Sequence, residues 1–162
     1  MPTNRAEKDA CDLLDADHRA VKKMFKDYEE LAGSRARGAA QKRLELGRQI
    51  CHELTVHAQV EEEIFYPQLR DVLKDTEHLA EAEVEHQAAK DLIAQIEAMP
   101  EADEMFDAKV KVLGEYVDHH IKEERGQIFP AARSSRKLDL FAMRDQLETR
   151  KEELMAEMGA MA

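Results

Sequence analysis

Tryptophan is absent from this chain of 162 residues, and cysteine, proline and glycine are scarce, with two, four and six copies. The two cysteines belong to no paired-cysteine metal motif, and they favour free thiols in a reducing compartment over a disulfide. The shortage of helix-breaking residues, together with 36% charged residues, is typical of helices with one solvent-exposed face. The composition therefore predicts an all-α protein that most simply forms one domain.

Long apolar runs and basic clusters are also missing. The N-terminal segment is polar and leads into charged residues, which argues against a signal peptide or a membrane-spanning helix. A net charge of −11 disfavours nucleic acid and anionic membranes as partners. We therefore expect a cytoplasmic protein that binds neither nucleic acid nor membrane.

Helical periodicity is nearly continuous and is interrupted at few places. A capping box at Asn4 and Glu7 predicts the start of a first helix, which ends near Gly33. Further helices are predicted from about residue 40 to the Pro67 region, over 76–98, from 103 to 126 or slightly beyond, and after 134–135. Short loops between such helices predict an up-down antiparallel four-helix bundle, to which the fifth helix is an addition.

One pattern occurs twice in the chain. His57 is followed four residues later by Glu61, and His120 is followed four residues later by Glu124. Residues i and i+4 lie on the same helix face, so each pair presents an imidazole nitrogen and a carboxylate oxygen to one point in space. Each pair can therefore supply two ligands to one metal site.

Four of the seven histidines lie on apolar helix stripes and are expected to face the core. They are His18, His57, His86 and His120, whereas His52 and His78 are expected in solvent and His119 is left outside the site. A single inward histidine is more often a satisfied core residue than a ligand. Glu61 and Glu124 share these stripes without Lys or Arg, and a buried carboxylate is costly unless a cation compensates it. The set predicts a metal site that suits iron, zinc or manganese.

The number of ligands indicates how many ions the site holds. Each half of the chain carries a lone histidine followed by one His-x3-Glu pair. Six side chains around one ion would leave no open position, whereas two ions bridged by Glu61 and Glu124 would each have four protein donors. An octahedral ion then keeps about two positions for exogenous ligands. The count favours a reactive binuclear site.

The order His18, His57-x3-Glu61, His86, His120-x3-Glu124 resembles the H, HxxxE, H, HxxxE pattern of the hemerythrin-like family of HHE cation-binding domains. The resemblance covers about residues 10 to 130. It implies a metal-binding four-helix bundle, residues 1–132, that encloses two non-haem iron ions, oxo- or hydroxo-bridged, with zinc and manganese as alternatives. Residues 133–162 then form a C-terminal amphipathic helix that packs on the bundle or is used in association.

The chain departs from the oxygen-carrying members at its third helix. Those proteins have an HxxxH pair there, whereas Ala82 stands four residues before His86 and Lys90 four residues after it. The missing histidine argues against reversible oxygen carriage and brings the pattern closer to bacterial di-iron proteins linked to nitric oxide, peroxide or iron–sulfur repair. Three further residues are candidates near the metals: Glu83 as an additional ligand, and Tyr116 and Glu85 as hydrogen-bonding or access-lining side chains.

Three functions remain open from the sequence. The preferred one is a redox-active di-iron protein that binds and reacts with oxygen, hydrogen peroxide or nitric oxide, in stress response or iron homeostasis. As an enzyme, it would be an oxidoreductase acting on one of these oxidants. The alternatives are a non-catalytic iron-binding, storage or sensing protein, and an interaction module with a structural metal. The expected partners are a small diatomic or peroxide ligand, and the chain is a monomer or a homodimer.

Overall fold

The computed structural model describes residues 8–161, with side chains as far as Gly159, and every regular element in that range is helical. The α-helical segments are α1 (Ala10–Ala32), α2 (Ala39–Val60), α3 (Tyr66–Val72), α4 (Glu77–Glu97), α5 (Glu104–Glu123), α6 (Phe129–Ser134) and α7 (Leu140–Met161). A first π turn, Glu61–Phe65, joins α2 to α3, and a second π turn, Glu124–Ile128, joins α5 to α6.

The four long helices α1, α2, α4 and α5 form the bundle. Helix α1 packs against α2 and α5, and α4 packs against the same two helices, so the four surround a common interior. The predicted all-α four-helix bundle with an additional C-terminal helix is confirmed. None of the helices in the described part of the chain is long and apolar enough to cross a membrane.

The start of α1 differs from the sequence-based expectation. Asp9 caps the helix by accepting a hydrogen bond from the Asp12 amide at 2.9 Å, while the Asp12 side chain accepts from the Asp9 amide at 3.0 Å. This reciprocal capping box satisfies two amides that the first helical turn leaves unpaired. The box predicted at Asn4 and Glu7 lies outside the described residues, and α1 begins at Ala10.

The helical path continues beyond Pro67, where the sequence suggested an end. In the first π turn the Tyr66 amide donates to the Glu61 carbonyl, five residues back, and Pro67 follows in the first turn of α3. At that position the missing proline N–H removes a donor that has no helical partner anyway, so the helix resumes. The second π turn and Pro130 repeat this arrangement. Each π turn begins at the glutamate of a His-x3-Glu pair.

The apolar core is divided into two clusters on either side of the bundle's middle. One cluster includes Leu14, Phe65, Leu69, Phe129 and Leu147. The other includes Ile50, Ile96, Phe106, Leu113 and Ile121. Polar groups between the two clusters are therefore shielded from water on both sides.

The C-terminal helix α7 packs on the bundle against α1 and α2. Met143, Leu147 and Leu154 on α7 are buried, at 1%, 0% and 5% exposure. These three side chains join the core cluster that contains Leu14 and Phe65. The apolar stripe of this helix is thus covered by its own chain.

Candidate metal centre

The middle of the bundle brings together all six residues that the sequence singled out as ligands. The four histidines, one on each bundle helix, are His18 on α1, His57 on α2, His86 on α4 and His120 on α5. Glu61 and Glu124 open the two π turns, and both are fully buried, with 0% exposure. Residues distant in sequence therefore converge at one buried position between the two apolar clusters.

The candidate ligand atoms form two overlapping groups. The first contains His18, His57, Glu61 and Glu124, and the second contains Glu61, His86 and His120, with the ligand atoms of each group within 4.8 Å of one another. The Nε2 atom of His18 lies 3.0 Å from Glu124 Oε1, and that of His57 lies 3.4 Å from Glu61 Oε1. The Nε2 atom of His86 lies 3.2 Å from Glu61 Oε1. Each histidine pair thus belongs to one helical hairpin.

Four polar atoms at this centre are buried without a hydrogen-bond partner. They are His18 Nε2, His57 Nε2, Glu61 Oε2 and Glu124 Oε1. Leaving a buried donor or acceptor without a hydrogen bond costs roughly 1–3 kcal/mol for each group, and the nearby pairs of His18 with Glu124 and His57 with Glu61 offset that cost only when the imidazoles are protonated. Imidazole nitrogens and carboxylate oxygens are ligands that iron, zinc and manganese accept. The residues therefore fit a metal ion.

The other ring nitrogen of each histidine is held by a carboxylate. The Nδ1 atoms of His18, His57, His86 and His120 lie 3.0, 3.1, 2.8 and 2.8 Å from Asp15, Asp17, Glu62 and Glu85, respectively. An ionised carboxylate only accepts hydrogen bonds, so each Nδ1 carries a proton, and once the imidazole is neutral its Nε2 lone pair faces the centre. The histidines are thus oriented as metal ligands.

Most of these carboxylates have a cationic partner on their outer side. Asp15 is paired with Arg125, Asp17 with Lys151 and Glu62 with Lys90, each at 2.6 Å. Burial opposes ionisation of Asp17, but hydrogen bonds from His57 and Lys151 outweigh it and lower the pKa of this carboxyl. Because Lys151 belongs to α7, the C-terminal helix helps to hold His57 in place.

Sequence reasoning considered Glu85 but missed Asp15, Asp17 and Glu62. Asp15 lies one helical turn before His18, so this position carried a usable signal. Asp17 reaches His57 only because α1 packs against α2. No spacing along the chain indicates that contact.

Protons occupy histidine nitrogens of the centre when no metal is bound. Burial disfavours a charged His57, but the carboxylates of Glu61 and Asp17 outweigh it and raise the pKa of His57 to about 10. Burial is likewise outweighed at His120, where hydrogen bonds to Glu124 and Glu61 help to raise the pKa to about 12. A metal ion that binds these nitrogens must displace protons, so metal binding is coupled to pH.

Tyr66 is a central residue that the sequence did not reveal. Its buried hydroxyl donates a hydrogen bond to Glu124 Oε2 at 2.5 Å and lies 3.3 Å from both Glu61 Oε1 and His120 Nε2. Five residues separate Tyr66 from Glu61, a spacing that an ordinary α-helix places on different faces. Hydrogen bonds in a π turn span five residues, so the two side chains come to the same face. Burial, reinforced by both carboxylates, raises the pKa of the phenol well above its usual value.

Comparison with known proteins shows the family of this chain. The family model of the hemerythrin HHE cation binding domain matches residues 9–132, which include all six candidate ligands and Tyr66. This chain belongs to the hemerythrin HHE cation-binding domain family. As a member of this family, it is a metal-binding protein.

Two individual proteins resemble this HHE domain. A protein described as a DNA nickase, from Nostoc sp. (strain PCC 7120 / SAG 25.82 / UTEX 2576), is 30% identical over 126 residues, which are 76% of this chain and 33% of that protein. The chain thus spans about a third of that relative's length. The crystal structure of a hemerythrin HHE cation binding domain-containing protein from Mycobacterium kansasii is 19% identical, covers 93% of this chain and 89% of its own, and has a TM-score of 0.73. That likeness shows a shared fold.

A small cavity reaches the metal centre of this HHE domain. It has a volume of about 60 Å³ and is lined by all four inward histidines. Apolar side chains such as Val21, Leu54, Ile93 and Val117 form much of the remaining wall, to which the charged residues Asp17, Glu53, Glu85 and Lys90 also contribute. A small ligand of low polarity therefore has space beside the Nε2 atoms.

The other candidate residues lie around the centre or outside it. Glu85 holds His120, as described above, whereas the Glu83 side chain is 51% exposed and is paired with Arg70 at 2.7 Å. Glu83 is therefore outside both ligand groups. Tyr116 is 44% exposed and lies at the cavity wall, so the hydroxyl that contacts the candidate ligands is that of Tyr66.

Proposed function

We propose that this HHE domain is a non-haem di-iron protein that binds a small oxidant and reduces it, in a stress response or in iron homeostasis. The observation that carries the proposal is the pair of overlapping ligand groups that share Glu61 beside a small, mainly apolar cavity. Bound iron would supply the electrons, because no side chain at the centre is itself a ready electron donor at neutral pH.

The geometry supports two ions rather than one. His18 and His57 define one position, and His86 and His120 define the other. Glu124 extends between them, since its Oε1 lies 3.0 Å from His18 and its Oε2 lies 3.5 Å from His120. If each ion took two histidines and two carboxylate oxygens, about two positions of an octahedral ion would stay unfilled. Open positions are the requirement for reactivity.

The cavity supports a small ligand such as oxygen, hydrogen peroxide or nitric oxide. A volume of about 60 Å³ is large compared with the roughly 10–15 Å³, on a similar measure, that one water molecule needs. It is far smaller than the roughly 300–1,000 Å³ of pockets for drug-sized molecules. The apolar wall beside the histidines favours neutral molecules over ions.

Tyr66 adds a proton at the centre. Its raised pKa keeps the hydroxyl protonated at neutral pH, and its hydrogen bond to Glu124 holds that proton next to both ligand groups. Reduction of peroxide or oxygen consumes protons, and the buried centre offers few sources. We therefore assign Tyr66 the role of positioning Glu124 and of supplying or guiding a proton.

Two other activities receive less support. Neither residue four positions from His86 is a histidine, since Ala82 is buried and Lys90 is paired with Glu62 at 2.6 Å, so the HxxxH pair of the oxygen carriers is missing. DNA nicking appears only in the description of a relative of which this chain covers 33%. The net charge of −11 opposes binding to DNA phosphates.

The test compares iron-loaded wild type with two histidine variants. We expect about two irons per wild-type chain, and an optical spectrum that changes when peroxide or nitric oxide is added. His120→Ala should lose most of the iron, whereas His52→Ala, whose side chain is 41% exposed, should retain it. An iron-loaded wild type that shows no spectral response to oxygen, peroxide or nitric oxide would refute the proposal. If iron only raised the melting temperature, the metal would be structural.

A further inference from the structure

A second group of histidines and carboxylates lies on the surface of α4 and α5, outside the buried centre. This outer cluster consists of His78, Glu81 and Glu85 on α4, and His119 and Glu123 on α5. His119 and Glu123 form a third His-x3-Glu pair, displaced by one residue from His120 and Glu124. Because one residue turns a helix by about 100°, this third pair is directed away from the interior.

Glu123 lies at the middle of the outer cluster. Its Oε1 is 3.3 Å from His78 Nδ1, and its Oε2 is 3.3 Å from His119 Nε2. His119 Nε2 is also 3.2 Å from Glu85 Oε2. The ligand atoms of His78, Glu81 and Glu123 lie within 4.8 Å of one another, as do those of Glu85, His119 and Glu123. Two imidazoles and two further carboxylates therefore surround Glu123.

The charge of the outer cluster is unlike that around the other three histidine-holding carboxylates. Asp15, Asp17 and Glu62 each have a Lys or Arg partner at 2.6 Å. Among the described residues, no Lys or Arg forms an ion pair with Glu81, Glu85 or Glu123. Glu85 contacts His119 where the other three carboxylates contact a Lys or Arg. The outer cluster thus combines nitrogen ligands with carboxylates that no Lys or Arg among the described residues neutralises.

We propose that the outer cluster binds one divalent cation of the zinc or ferrous type. His119, Glu85 and Glu123 provide its ligands, and His78 contacts the other oxygen of Glu123. Mixed imidazole and carboxylate ligands suit these ions better than magnesium or calcium, which favour oxygen alone. The side chain of His119 is 71% exposed, so the ion has free access from solvent.

The outer ion would share a residue with the buried centre. Glu85 Oε1 accepts a hydrogen bond from His120 Nδ1 at 2.8 Å, while Glu85 Oε2 faces His119. One carboxylate therefore contacts both the outer ion and the histidine that holds the inner metal. Occupation of the outer cluster would withdraw negative charge from His120.

The experiment counts zinc in the full chain after equilibrium dialysis against Zn²⁺, with a competing chelator that sets the free concentration. Wild type is expected to bind one ion more than either His119→Ala or Glu123→Gln, whose inner ligands are intact. His52→Ala is the matched control, since it removes an exposed histidine elsewhere, and it should bind as many ions as wild type. Zinc X-ray absorption should lose its signal from the extra site in both variants.

The difference in zinc count does not depend on which metal fills the buried centre, so this test is separate from that of the di-iron proposal. Equal zinc counts in wild type and both variants would overturn the outer site. Equal loss in His52→Ala would overturn it as well, because the extra binding would then be non-specific. Iron content after separate iron loading checks that the variants keep the inner centre.

Discussion

Replacement of His18 by leucine is expected to affect stability in opposite directions with and without metal. His18 is 3% exposed, its Nε2 makes no hydrogen bond, and its ring stacks on Phe129 with centroids 5.9 Å apart. Leucine is of comparable size and would keep that apolar contact. Asp15, the partner of His18 Nδ1, would remain paired with Arg125 at 2.6 Å. Glu124, whose Oε1 lies 3.0 Å from His18 Nε2, would lose that contact but keep the hydrogen bond that its Oε2 accepts from Tyr66 at 2.5 Å.

The magnitude follows from the unpaired nitrogen. A buried polar atom without a partner costs roughly 1–3 kcal/mol, so metal-free His18→Leu should be more stable than metal-free wild type by about that amount. For a chain of this length, 1 kcal/mol corresponds to roughly 2–4 °C in melting temperature. We expect a rise of roughly 2–12 °C. With metal the sign reverses, because the variant loses a ligand and the stabilisation that binding provides.

The assay is thermal unfolding, followed by circular dichroism, of chelator-treated and iron-loaded protein, with iron measured in the same samples. Iron should fall from about two ions to about one per chain in His18→Leu, since His18 serves one of the two ligand groups. His52→Leu replaces a 41% exposed histidine and should change neither melting temperature by more than a degree or so. If metal-free His18→Leu melts below metal-free wild type, the histidines form a satisfied polar core and the reasoning is wrong.

Three further predictions concern the surroundings of the ligands. Asp17→Asn should weaken metal binding by about 10–100-fold, because Asp17 orients His57. Asp27→Asn, at an exposed position, should leave the affinity unchanged. Chelator competition measures both affinities, and equal values in the two variants would contradict the role of Asp17. Tyr66→Phe should keep its iron but react more slowly with peroxide in stopped-flow experiments, because Glu124 loses its hydroxyl donor. An unchanged rate would show that the Tyr66 hydroxyl takes no part in the reaction. The pKa of metal-free His57 is raised from 6.5 to about 10, so its protonation stabilises the fold fully below pH 6.5 and less as pH rises through 10. Metal-free protein should therefore unfold more readily at about pH 10.5 than at pH 8, and metal uptake near pH 7 should release protons; calorimetric heats that do not depend on the buffer's ionisation enthalpy would count against this.

The fold was largely predictable because helical periodicity is a local property. Predicted helices over residues 76–98 and 103–126 correspond closely to Glu77–Glu97 and to Glu104–Glu123 with its following π turn. The prediction was wrong at Pro67, where a proline was expected to end the helix. Pro67 does not end it, because a π turn rearranges the hydrogen bonds before it. Rules based on the helix preferences of single residues do not anticipate a π turn.

The sequence by itself determined the helical bundle and the inward direction of six candidate ligands, because residues three to four apart, such as His57 and Glu61, lie on the same side of a helix. Only the tertiary structure decided what surrounds those ligands. Asp17 reaches His57 across two packed helices, and Lys151 reaches Asp17 from the C-terminal helix. Tyr66 enters the centre through a change in helical pitch. Such contacts depend on how helices are placed relative to one another, and spacing along one helix carries no information about that placement.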